Sequence, residues 1–127
     1  MEAVVIITVL ALVQYTVFAF LVGGVRQRTG VKAPASQGND EFDRANRVHL
    51  NTLEQIVVFL PALWLYAHYV NPLWGAGLGV VYLIGRLLYR SAYLKDPAKR
   101  GTGFMLTLLP SVVMLLWVLE VAVMSYF

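Results

Sequence analysis

Four long apolar runs dominate the chain: Ala3 to Val25, Leu53 to Val70, Leu73 to Tyr93 and Phe104 to Phe127. A helix needs about 20 mostly apolar residues to cross a bilayer, and each run is about that long. In lipid, backbone amides and carbonyls must pair within the protein, so uninterrupted runs of this kind are expected to be helices. Of the 127 residues, 59% are hydrophobic and only 13% are charged. A single small domain has too little interior to hide that much apolar surface from water. The expected fold is therefore all-α, an integral membrane four-helix bundle forming one domain over 1–127, with spans at about 3–25, 47–70, 73–94 and 102–126. Pro61 and Pro110 fall inside two of these spans and are expected to bend them.

The basic residues are distributed asymmetrically. Arg26, Arg28, Lys32, Arg44 and Arg47 lie in or beside the first connection, and Arg86, Arg90, Lys95, Lys99 and Arg100 lie around the third. The second connection, HYVNP, carries none, and neither do the termini. The positive-inside rule then puts the first and third connections in the cytosol and both termini away from it. The opening run lacks a basic leader and is too long for a signal-peptide core, so it is read as a retained span. These charges flank spans rather than forming an interleaved soluble face, which argues against a nucleic-acid partner. There are no cysteines, and His49 and His68 stand in no metal-ligand spacing, so no metal is expected. The one long polar segment, residues 26–46, contains Gly30, Pro34, Ser36, Gly38 and Asn39 and reads as a loop, followed by Asp40, Glu41 and Asp43 ahead of the second helix.

The polar residues of the spans fall into helical register. Arg47, Asn51 and Glu54 lie close to one line on the second helix, with Arg44 nearby and His49 pointing roughly the other way. On the third, Arg86, Tyr89, Arg90 and Tyr93 share a face. If these stripes oppose each other, they enclose a polar cleft of guanidinium, carboxylate, amide and phenol groups. Such a cleft suits a small zwitterion bearing carboxylates and an amine. Taken singly, Arg44 and Arg47 could be helix-end anchors, Tyr89 and Tyr93 belt residues, and His68 an interfacial side chain. Glu54 and Arg86 lie deeper, where charges usually pair or serve a function, and the joint pattern favours the cleft.

The stretch RANRVHLNTLEQIVVFLP resembles the second-helix signature of the MAPEG superfamily, the membrane-associated proteins of eicosanoid and glutathione metabolism, through Arg47, Asn51, Glu54 and Pro61. The stretch GRLLYRSAYLKDPAKR resembles the third-helix signature through Arg86, Tyr89 and Tyr93. The resemblance covers essentially the whole chain and points to a microsomal-glutathione-transferase-like member of bacterial type. It implies a homotrimer holding glutathione in cytosol-facing clefts between subunits. Arg47, Asn51 and Glu54 would bind the γ-glutamyl end, with Arg86, Tyr89 and Tyr93 completing the pocket. Arg26 and His49 would reach glutathione from a neighbouring subunit. Arg100, seven residues after Tyr93, would be catalytic by stabilising the glutathione thiolate, with Lys99 as a rival.

The sequence departs from specialised branches at Gln55, a tyrosine in the leukotriene-forming branch, and at Gly101, a serine in the prostaglandin-forming branch. The implied activity is thus general: transfer of glutathione, the co-substrate, to hydrophobic electrophiles arriving through the membrane lipid, or glutathione peroxidase action on lipid hydroperoxides. The alternatives are a non-catalytic lipid- or glutathione-binding membrane protein and, last, a small transporter or structural subunit.

Overall fold

The computed structural model describes all 127 residues. Four helices follow one another: α1 (Glu2–Thr29), α2 (Asp40–Tyr69), α3 (Pro72–Lys95) and α4 (Gly101–Tyr126), with one 3₁₀ turn, Pro97–Lys99, before α4. All four are long and apolar enough to cross a membrane. The chain is an all-helical integral membrane protein whose helices alternate in direction.

Most of the exposed surface along the helices is apolar, as shown by Val5, Leu10, Phe20, Val57, Leu87, Leu116 and Leu119. This is the arrangement expected where lipid, rather than water, is the outer solvent. The largest buried cluster lies toward the end carrying both termini and joins Val4 and Ile7 of α1, Phe59, Leu63 and Tyr66 of α2, Ala76 and Tyr82 of α3, and Met114 and Val118 of α4. The Phe59 and Tyr82 rings stack within it, 3.8 Å apart. Threonine hydroxyls are satisfied locally: Thr8, Thr16, Thr29, Thr52 and Thr107 each donate to the carbonyl four residues earlier. Few polar contacts tie helix to helix here. Trp64 Nε1 donates to Thr8 Oγ1 at 3.0 Å, and Gln14 Nε2 donates to the Leu83 carbonyl at 3.1 Å.

The helix ends follow from local chemistry. Gly30 ends α1 in the left-handed conformation, φ 77°, which a side chain would disfavour. Asn39 caps α2 by accepting from the Phe42 amide. Asn71 caps α3 by accepting from the Leu73 and Trp74 amides, with Pro72 in the first turn. The first connection is shorter than the sequence suggested. It occupies only residues 30–39, because α1 runs on to Thr29 and α2 already begins at Asp40. Asp40, Glu41 and Asp43 accordingly sit inside the first turn of α2, where the helix dipole favours acids. Two side chains fold the loop down: Arg26 Nη1 donates to the Ala35 carbonyl at 2.8 Å, and Asn46 Nδ2 to the Ser36 carbonyl at 3.3 Å. Both α2 and α4 continue as helix through Pro61 and Pro110.

At the end bearing the first and third connections, α3 and α4 approach backbone to backbone. A Cβ on Gly103 would run into the backbone of Tyr89, and one on Gly85 would come within 2.8 Å of the Leu106 carbonyl carbon and the Thr107 nitrogen. Small residues at helix contacts are how membrane bundles gain close packing without a hydrophobic driving force. Gly103→Val should therefore destabilise the protein by about 1–3 kcal/mol or more, since no flexible side chain can yield. Gly77→Ala, which meets nothing within 4 Å, should be neutral or slightly stabilising because alanine is the better helix former. Thermal unfolding of the two purified variants in one detergent checks both.

Candidate functional site

The centre of the site is an arginine in the bundle interior. Arg86, on α3, is fully buried, and its Nη1 and Nη2 both donate to Asn51 Oδ1 on α2, at 2.8 and 2.9 Å. Its guanidinium carbon also lies 4.4 Å from the centre of the Tyr89 ring, a cation–π contact. No carboxylate pairs with it, and its Nε has no partner. A charge in this position is costly unless hydrogen-bonded, and Asn51 and Tyr89 are what the fold supplies. The pair locks α2 to α3 and fixes the Asn51 carboxamide with its oxygen toward Arg86.

Beside this pair a cavity of about 590 Å³ opens between α2, α3 and α4, lined by Arg47, Asn51, Tyr89, Tyr93, Ala98, Arg100, Gly101 and Phe104. Its volume lies within the usual range for small-molecule sites. Tyr89 and Tyr93, one turn apart on α3, stack with ring centres 5.6 Å apart and form one wall. Arg47 reaches in from α2 and is paired with Glu54, Nη1 to Oε1 3.3 Å, both side chains about half exposed. This pair can open to offer a guanidinium and a carboxylate separately to a zwitterionic guest.

The floor is the start of α4. Asp96 caps the 3₁₀ turn by accepting from the Ala98 amide, and Arg100 follows, its Nη1 donating to the Pro97 carbonyl at 2.8 Å. No side chain caps α4, and the first amide bonded back onto its starting residue is that of Phe104. Arg47 and Arg100 are the cationic side chains among the lining residues, with bare Gly101 leaving room beside Arg100. Together they favour an anion there.

The structure thus gathers Arg47, Asn51, Tyr89, Tyr93 and Arg100 around one cavity, with Glu54 and Arg86 attached to lining residues. Two residues singled out in the sequence lie elsewhere in the single chain. His49 stacks on Tyr15 of α1, 4.8 Å between ring centres, and Arg26 lies over the Phe42 ring at 4.6 Å while holding the first connection. Arg90 also leaves the face it was grouped with. It turns toward α1, 5.6 Å from the Phe18 ring, because α3 is wrapped by α1 on one side and by α2 and α4 on the other. Arg44 ties helix ends together by donating to the Leu94 and Lys95 carbonyls and pairing with Asp40 at 3.2 Å. Lys99 is exposed on the 3₁₀ turn and outside the lining. Ala98, Gly101 and Phe104 line the cavity without having been singled out. Only the turn that begins α4 brings them there, and their residue types carry no signal of it.

Removing Asn51 should cost more than removing both partners. Asn51→Leu leaves Arg86 buried without its acceptor and should destabilise by roughly 1.5–3 kcal/mol or more. Adding Arg86→Leu should recover part of that loss. A double-mutant cycle by thermal unfolding measures the coupling, and additive losses would contradict the pairing.

Comparison with known proteins agrees with this architecture. The pattern that defines the MAPEG family matches residues 4–119. An uncharacterized protein of Synechocystis sp. is 46% identical over 109 residues, covering 86% of this chain and 80% of that protein. Human microsomal glutathione S-transferase 2 is 37% identical over 102 residues, 80% of this chain and 69% of the relative. Bovine leukotriene C4 synthase is 30% identical over 94 residues, 74% and 63% of the respective chains. With four membrane-length helices and a family match over nearly its full length, the chain belongs to the MAPEG family.

Proposed function

We propose that the protein is a membrane glutathione transferase, conjugating the glutathione thiolate to hydrophobic electrophiles. The observation that carries this reading is the cavity in which Arg47, Asn51, Tyr89, Tyr93 and Arg100 converge at the uncapped start of α4. Its guest must be anionic and small, and the similarity to glutathione transferases makes glutathione the chemical match. Arg47 and Glu54, once parted, suit the carboxylate and ammonium of a γ-glutamyl group, and Asn51 is held for it by Arg86. Arg26 and His49 approach the same ligand from a neighbouring copy in a homotrimer.

Arg100 holds the sulfur as a thiolate. A free thiol has a pKa of about 8.5, and each unit by which cations lower it corresponds to about 1.36 kcal/mol in favour of the charged form. The thiol proton leaves to water. The sulfur then forms a bond to the electrophilic carbon as the leaving group departs with its electron pair, or as an epoxide opens. With a hydroperoxide, sulfur takes the terminal oxygen to give a sulfenic acid as the O–O bond breaks and an alcohol leaves, and a second glutathione thiol then displaces that oxygen as water to form the disulfide. The electrophile comes from the bilayer beside α1 and α4, while glutathione enters from water. The cluster of basic residues at this end makes that side cytosolic, with both termini opposite.

The test is an assay of purified protein in lipid nanodiscs with glutathione and an aryl halide. Arg100→Ala should lower the rate about tenfold or more near neutral pH, where an unassisted thiol is only a few per cent ionised. Because the cation lowers the thiol pKa, its loss moves the rising limb of the pH–rate profile upward toward about 8.5, and the deficit shrinks under alkaline conditions. Full activity and an unshifted profile in the variant would exclude this role. Absence of any glutathione binding, with stabilisation by lipid alone, would favour a non-catalytic lipid-binding protein instead.

A further inference from the structure

A second polar cavity, of about 220 Å³, lies at the same end of the bundle on a different face, between α1, α2 and α3. Its rim holds Arg28, Arg44 and Arg90 with a single acid, Glu41, and its apolar wall includes Val25 and Leu94. Two of the arginines are neutralised within the chain: Arg28 pairs with Glu41, and Arg44 with Asp40. Arg90 has no ion pair and no side-chain hydrogen bond, its only polar relation being to the face of Phe18. Arg44, on the same rim, is held by the Leu94 and Lys95 carbonyls as well as by Asp40. Arg90 stands five residues before the end of α3 at Lys95, roughly 8 Å along the axis at 1.5 Å per residue. That depth corresponds to the level of phospholipid head groups and glycerol when the helix end lies at the membrane surface.

An arginine at this depth ordinarily finds an anion. We infer that this cavity binds the phosphodiester of an anionic phospholipid, with Arg90 donating to the phosphate, Arg44 on the same rim, and Val25 and Leu94 flanking the start of the acyl chains. A free phosphate shares the charge chemistry but makes no use of the apolar wall. Basic pockets between membrane helices are well suited to such head groups, and arginine offers the planar fork that a phosphate accepts. Arg90 lies outside the lining of the first cavity, so the two sites can be separated by mutation.

The experiment is native mass spectrometry of the full-length protein, released from nanodiscs of phosphatidylcholine containing a minor fraction of phosphatidylglycerol. Wild type should retain phosphatidylglycerol in preference to phosphatidylcholine. Arg90→Gln should lower that retention roughly fivefold, one basic residue's share of the attraction to anionic lipid, while glutathione-dependent activity is unchanged. Arg90→Lys should retain the preference in part. Equal retention by wild type and Arg90→Gln would overturn the site, and so would an absence of preference in wild type, which needs no variant to fold. Thermal stability in pure phosphatidylcholine discs separates the two sources: stabilisation by inorganic phosphate as large as that by phosphatidylglycerol would overturn the lipid assignment.

Discussion

A positive charge enclosed in a bundle that faces lipid is the constraint from which the rest of the site follows. Arg86 is fully buried and has no carboxylate partner, so Asn51 Oδ1 must accept from both terminal nitrogens while Tyr89 offers its ring. These demands fix the rotation of α2 about its axis, the height of α3 against it, and the plane of one aromatic wall. Arg47 and Tyr93, one turn beyond Asn51 and Tyr89 toward the polar end, then line the adjoining cavity. Replacing the pair with apolar residues could preserve a bundle, but not the orientation that turns two helices into the sides of a pocket.

Chain direction supplies the third side. Since α3 and α4 run antiparallel through a short connection, the amide end of α4 lies beside the carboxyl end of α3. Arg100 and Gly101 at the start of α4 therefore line the same cavity as the stacked tyrosines. Charge and exposure then divide the molecule. The far end packs Phe59, Leu63, Tyr66 and Tyr82 into a continuous apolar core, and the near end holds both arginine-lined cavities.

Much of this was legible in the residues. Four runs of membrane length allow little besides helices, and the spacing of Arg47, Asn51 and Glu54 places them in one stripe whatever α2 packs against. Periodicity also separated His49, which indeed turns to Tyr15 of α1. What periodicity could not supply was the neighbour on each side of α3. Arg90 shares an approximate face with Arg86 yet meets α1, because α3 packs against α1 as well as against α2 and α4. The first connection is also shorter than its polar composition implies. Polar residues there still form helix, since Asn39 caps α2 and the acids of its first turn suit the dipole. Ala98 and Gly101 carry no functional group to betray them, and only the turn starting α4 places them in the lining.

Gly103 bears on how such a pocket can adapt. The backbones of α3 and α4 touch there with no side chain between them, just before Phe104 and beside Tyr89, both of which line the cavity. Rotating or sliding α4 to widen the space would drive peptide into peptide, so two walls behave as one rigid piece. Accommodation of guests of different shape falls to the long, solvent-reaching side chains of Arg47 and Arg100, hung on that frame like adjustable arms. In the proposed transferase, a pocket built this way would hold one end of its guest in constant geometry and leave selectivity for the other end to whatever lipid-facing surface lies alongside.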